Sequence, residues 1–172
     1  MLTSRRDYIL RLIDEVGRLL TQAIFKQKAG AGEAALQTIV MACERLFGLE
    51  GDKLFQFTPA QHFLMLTEGE TPAAARDKVL LYAALNREAG ILYDQVGNRQ
   101  LTQATRLNAL RFTLRARTEF PDHSLPEFAP QVSTLLAELD DTPLDEETTT
   151  LLLKFRANTR TAPPRDHPDS EG

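Results

Sequence analysis

Apolar side chains recur in steps of three and four from the start of the chain. Ile9, Leu12, Ile13, Val16, Leu19, Leu20, Ala23 and Ile24 share one side of a 3.6-residue spiral, and Arg5, Arg6, Arg11 and Arg18 fall largely off it. The pattern predicts an amphipathic helix over residues 4–28, with Ser4 as its cap and Asp7 three positions on, broken by Ala29-Gly30-Ala31-Gly32. Leu36, Ile39, Val40, Cys43, Leu46 and Phe47 predict a second helix over 33–47, with Gly48 where a terminating glycine belongs. Residues 49–57 read as a connection. Thr58-Pro59 and Thr71-Pro72 are start signals, because Thr caps and Pro at the first helical position gives up no needed hydrogen bond. They open a short helix to about residue 66 and a long one to about 96. A further helix spans 99–118 and stops at Phe120-Pro121. Another runs through Val132, Leu135, Leu136 and Leu139, and Thr142-Pro143 starts a last short one with Asp145, Glu146 and Glu147 in its first turn. Acids there suit the positive end of the helix dipole. No five-residue alternation with β-branched enrichment occurs. The chain is therefore expected to be all-α, with about seven helices and no sheet.

Two turns stand out. In Asn86-Arg87-Glu88-Ala89-Gly90-Ile91-Leu92-Tyr93-Asp94-Gln95-Val96-Gly97-Asn98, a small residue at Gly90 admits a neighbouring helix, Tyr93 fills the groove one turn on, and Gly97 can adopt the left-handed conformation that caps a helix. Ala109 follows where two helices must nearly touch. Gly30 is the matching turn glycine, 67 residues earlier, close to two units of about 34. Five and twelve positions past Gly30 stand Ala35 and Ala42, both small. Past Gly97 the same steps give Thr102, a partial fit, and Ala109.

These spacings resemble a tetratricopeptide unit, in two hairpins covering about 70 residues. Arg106 departs from the large apolar residue usual at its position, where the first hairpin has Ile39, and Asn86 stands where tryptophan is common. The start Arg6-Asp7-Tyr8-Ile9-Leu10-Arg11-Leu12-Ile13, with Leu46-Phe47-Gly48-Leu49, is also similar to a bacterial helical family of unknown function. That resemblance implies no catalytic or binding residues. The tetratricopeptide resemblance implies side-by-side antiparallel helical hairpins. Two or three of these bury their faces poorly alone, so a covering helix or dimerisation is expected, and Val132–Leu139 and residues 151–155 could supply the cover.

Charge is divided along the chain. Residues 1–120 hold 16 Lys and Arg against 13 Asp and Glu, and residues 121–172 hold 4 against 11. The expected organisation is a single helical domain over 1–157 and a flexible, acidic, Pro-containing tail over 158–172. The acidic end reads as a solvated surface or as an interaction tail. One cysteine permits no internal disulfide, the first residues are too charged for a signal peptide, and no segment approaches the roughly 20 apolar residues of a membrane span. Residues 36–43 and 79–85 are read instead as buried helix. A cytoplasmic protein that does not engage the membrane is expected.

Chemistry finds little support. His62, His123, His167 and Cys43 have no metal-ligand spacing, so neither a metal nor another cofactor is expected. His62 reads as a packed or surface histidine, and Cys43 as a small core residue with a raised pKa. Gly30-Ala31-Gly32 lacks both the preceding strand and the lysine of a phosphate loop. No catalytic residues are assigned and no enzymatic activity is expected. The helix over 99–117 carries Arg99, Arg106, Arg111, Arg115 and Arg117 without an acid, between two apolar arcs. Arg99, Arg106 and Arg117 fall on one stripe, read either as a solvated face or as a candidate partner-binding surface. Nucleic acid is a poor fit, for the chain is acidic overall and no aromatic residues alternate with the arginines. The expected function is a scaffold acting through a protein partner or self-association, with this chain's own C-terminal segment a candidate for the arginine stripe. The alternative is a nucleic-acid-associated regulator using the arginine helix.

Overall fold

The computed structural model describes residues 2–121 and 124–161. Among these residues there are eight helices and no strand. They are α1 (Leu2–Lys28), α2 (Gly32–Phe47), α3 (Gly51–Leu54), α4 (Pro59–Thr67), α5 (Pro72–Gln95), α6 (Arg99–Glu119), α7 (Val132–Leu139) and α8 (Glu146–Thr161).

The two turn glycines close their helices in the same way. Gly30 and Gly97 take φ of 79° and 74°, conformations that cost glycine little. After α1, Gly30 N–H bonds to Gln27 O and Ala31 N–H to Lys26 O; after α5, Gly97 N–H bonds to Asp94 O and Asn98 N–H to Tyr93 O. Both are Schellman closures, which satisfy carbonyls that a helix end leaves orphaned. The residue after each glycine, Ala31 or Asn98, is already the N-cap of the next helix. Asn98 adds a side-chain bond from Leu101 N–H at 3.2 Å. Each hairpin therefore reverses in three residues.

The hairpins α1/α2 and α5/α6 lie beside each other in the same sense. At one end Arg5, near the start of α1, reaches Gly69 O at 3.3 Å and Glu70 at 3.7 Å, just before α5. At the other, a β-carbon on Gly32 would stand 3.7 Å from Leu92, near the end of α5. Hence α1 and α5 run parallel. Contact with α1, α2, α4 and α6 encloses α5 so fully that every residue from Val79 to Leu85 is buried. Residues 36–43 differ from expectation. They form an amphipathic helix whose Gln37 and Met41 face solvent, because only one side of α2 is covered.

Two apolar clusters share α6. Phe112 and Ala116 join the main core with α1, α2, α4 and α5. Leu110 and Leu114 join Val132, Leu135 and Leu139 of α7 and Leu152 of α8. Phe112 and Ala116 thus have different partners from Leu110 and Leu114, whereas Leu101 is exposed, and α7 and α8 provide the expected cover.

Several local readings need correction. Helix α1 begins at Leu2, so Ser4 lies inside its first turn rather than at its cap. The connection over 49–57 contains the one-turn α3, whose first amide, Gly51 N–H, donates to Glu44 Oε2 at 3.0 Å. The last helix starts at Glu146, not after Thr142-Pro143, because Asp145 supplies the cap: Thr148 N–H donates to its Oδ1 at 2.7 Å. That helix continues through Thr161, four residues past the expected domain end at 157. The remainder of the expected tail, 162–172, lies outside the described residues. Gly90 does face α6, but against Thr105 and Arg106. Ala109 instead lies in the second cluster.

Candidate functional site

The stripe of Arg99, Arg106 and Arg117 does not form one outward surface. Arg99 is exposed, whereas Arg106 and Arg117 are half-buried. The stem of Arg106 lies over Gly90, and its Nη2 stands 3.5 Å from Asp94 Oδ2. Arg117 places its guanidinium 5.1 Å from the ring centre of Phe155 on α8, and burial lowers its pKa. The other two arginines are also engaged. Arg111 binds Asp145 at 2.5 Å, and Arg115 sits 3.5 Å over Phe63 while pairing with Glu119. Helical periodicity places the three stripe residues at similar angles around α6, but α5 and α8 cover the sides where two of them emerge. The described part of the C-terminal segment docks on this helix, through Arg111 and Arg117.

His62 lies in the core. Its Nε2 donates to Leu54 O at 2.8 Å, which leaves Nδ1 to accept from Tyr82 O–H at 3.3 Å. The rings of Phe47, His62 and Tyr82 pack within 5.5 Å of one another. This network ties α3 and α4 to α5. Cys43 is buried as a free thiol, pushed up to about 12 by burial and secondarily by Glu44. Such a thiol is a poor nucleophile. His123 and His167 lie outside the described residues. Among the described residues, no group of three or more His, Cys, Asp or Glu could hold a metal ion. No helix of these residues is long and apolar enough to cross a membrane.

A concave feature lies elsewhere. A groove of about 1080 Å³ runs between one face of α1, the middle of α5, and the segment that leads into α7. Helix α1 contributes Leu10, Ile13, Asp14, Gly17, Thr21 and Ile24, a set spaced by three and four. Ala84, Arg87 and Glu88 of α5 form the floor, and residues 127–131 with Thr134 form the far wall. Leu125, Phe128 and Ala129 pack that wall against the main core. The space over Gly17 is free, since a β-carbon added there would meet nothing within 4 Å.

Most charges around the groove already have partners. Arg18 binds Asp14 at 2.6 Å. Arg87 directs Nε and Nη2 at Glu138 Oε1, at 2.9 and 2.6 Å. Glu88 is different. Only 7% of its side chain is exposed, Arg87 Nη1 lies a loose 3.8 Å from its Oε1, and its buried Oε2 has no hydrogen-bond partner. Burial raises its pKa; Arg87 and Lys28 oppose that rise and Glu138 adds to it. Glu127, exposed on the far wall, has no ion-pair partner among the described residues.

Sequence reasoning did not find this site. Its walls come from three distant segments, and Glu88 looks like any polar position until α1 and the 127–131 wall are placed around it. No protein-family model, curated protein or solved structure matches this chain.

Proposed function

We propose that this protein is a non-catalytic helical scaffold that holds a segment of another protein chain in the groove between α1, α5 and the 127–131 wall. The groove itself carries this reading. From Leu10 to Ile24 it follows α1 for about 20 Å at 1.5 Å per residue. Its volume of about 1080 Å³ exceeds most small-ligand pockets. A long trough whose walls mix apolar and polar side chains suits a peptide segment or a helix laid along it.

A tetratricopeptide-like architecture accords with this function. Its support is the pair of matching glycine closures and the parallel placement of the first helices of the two hairpins. Among the described residues, no histidine or cysteine lines the groove and no nucleophile–base pair stands around Glu88, which favours binding over catalysis. A cytoplasmic setting fits a chain whose single cysteine is buried as a thiol.

The test is affinity capture from native cells with the full chain and with Gly17→Trp, which sets an indole on the α1 wall at a position where an added β-carbon meets no neighbour. The reading expects a partner recovered by the parent chain and lost by the variant, with helicity unchanged in circular dichroism. A partner held equally by both would contradict it. A second copy of this chain, recovered and lost in the same way, would identify the scaffold as self-associating.

A further inference from the structure

A carboxyl group shut away from water without a hydrogen-bond donor is costly, because burial removes solvation and nothing here replaces it. Glu88 is in that condition on the floor of a groove of about 1080 Å³. The neighbouring cations relieve it only in part, and none donates a hydrogen bond to it. Arg87 commits two donors to Glu138, Arg18 is held by Asp14, and Lys28, though near enough to act on Glu88 electrostatically, does not line the groove. Glu127 adds a second negative charge on the opposite wall, with no compensating cation among the described residues. The groove thus combines apolar walls from Leu10, Ile13, Ile24 and Phe128 with unmatched negative charge.

We propose that the segment received by this groove carries a lysine or arginine between apolar residues, with Glu88 as the acceptor of the basic head and Glu127 guiding it at the rim. The proposal rests on the scaffold reading above and specifies the chemistry of its partner. The apolar neighbours of the basic residue cover the α1 face, while its methylene stem lies along the groove and its head reaches the floor. Glu88 meets it by turning its carboxyl about the terminal torsion, which is broad for glutamate. The incoming charge supplies the donors that Oε2 lacks. A charge-assisted hydrogen bond formed in such a sheltered place contributes far more than an exposed ion pair.

Selection of a displayed random peptide library against the full chain tests this, followed by binding measurements on the synthesised winners. The expected winners place Lys or Arg between apolar residues and shift the NMR signals of Gly17, Ala84 and Ala129. Replacing the basic residue by norleucine, or Glu88 by Gln, is expected to weaken binding by about ten- to a hundredfold. Glu127→Gln, on an exposed wall position, is expected to weaken it by a few-fold and to reduce its salt dependence. Winners that occupy the groove without a basic residue, or that bind Glu88→Gln undiminished, would overturn the inference and leave the scaffold reading standing. A library that yields no groove binder would overturn both.

Discussion

The stem of Arg106 lies directly over Gly90. A β-carbon at position 90 would stand 3.1 Å from Arg106 Cγ and 3.1 Å from Thr105 Oγ1. The hairpin α5/α6 closes to this distance because position 90 has no side chain. Thr105 cannot easily yield, since its hydroxyl donates to Leu101 O at 2.7 Å within its own helix. Alanine improves the intrinsic helix propensity by about 1 kcal/mol, but overpacking of this kind costs about 1–3 kcal/mol. Gly90→Ala should therefore lower stability by about 1 kcal/mol, and Gly90→Val by more than about 2 kcal/mol, in urea denaturation. Gly17→Ala should act oppositely, raising stability by about 1 kcal/mol, because that added carbon meets no neighbour.

Asp145 joins α8 to α6 by capping the one and pairing with Arg111 of the other. Burial opposes its charged form, but Thr148 and Arg111 more than compensate and hold its pKa below the usual aspartate range. Its stabilising contribution is therefore full above the unfolded-state pKa of about 3.9 and disappears as pH falls through the lower folded-state value. Asp145→Ala should cost about 1 kcal/mol at neutral pH. The gap between parent and variant should narrow on acidification, as measured by denaturation at a series of pH values.

Glu88 should show the reverse pH trend. Its folded-state pKa is raised, so the folded chain binds the proton more tightly than the unfolded chain. Stability is therefore lost as pH rises from the ordinary glutamate value through the folded-state one. Relative to Glu88→Gln, the parent chain should weaken across that window and level off above it. A difference that stays flat would contradict this environment for Glu88.

The arginines of α6 separate by what covers them. Arg99 is exposed, so Arg99→Ala should change stability by less than about 0.5 kcal/mol. Arg117→Ala removes the cation over Phe155 and should cost about 1 kcal/mol, with α8 amides exchanging faster with solvent.

What the sequence disclosed was local. Gly30 and Gly97 announced their turns because a left-handed closure strongly favours glycine, and the apolar steps of α1 and α6 named the faces that became buried. The start of α8 was misread because Thr142-Pro143 imitates a cap. The structure instead needs residues 140–145 to turn the chain after α7, with Asp140 at φ 44° and Leu144 packed into the second cluster. The groove was illegible for a different reason. Helical periodicity gives the angle at which a side chain leaves its own axis, not which neighbour will stand there. Periodicity therefore turns Arg106 outward although α5 covers it, and it offers no sign that α1 and the 127–131 wall shut Glu88 in.

The groove is the centre of this account, and site-specific photo-crosslinking tests it most directly. A benzophenone side chain placed at Thr21, on the α1 wall, should form adducts with the bound partner in native cells. The same group at Leu153, exposed on α8 away from the groove, should not. Adducts from position 153 with none from position 21 would contradict the groove as the working surface.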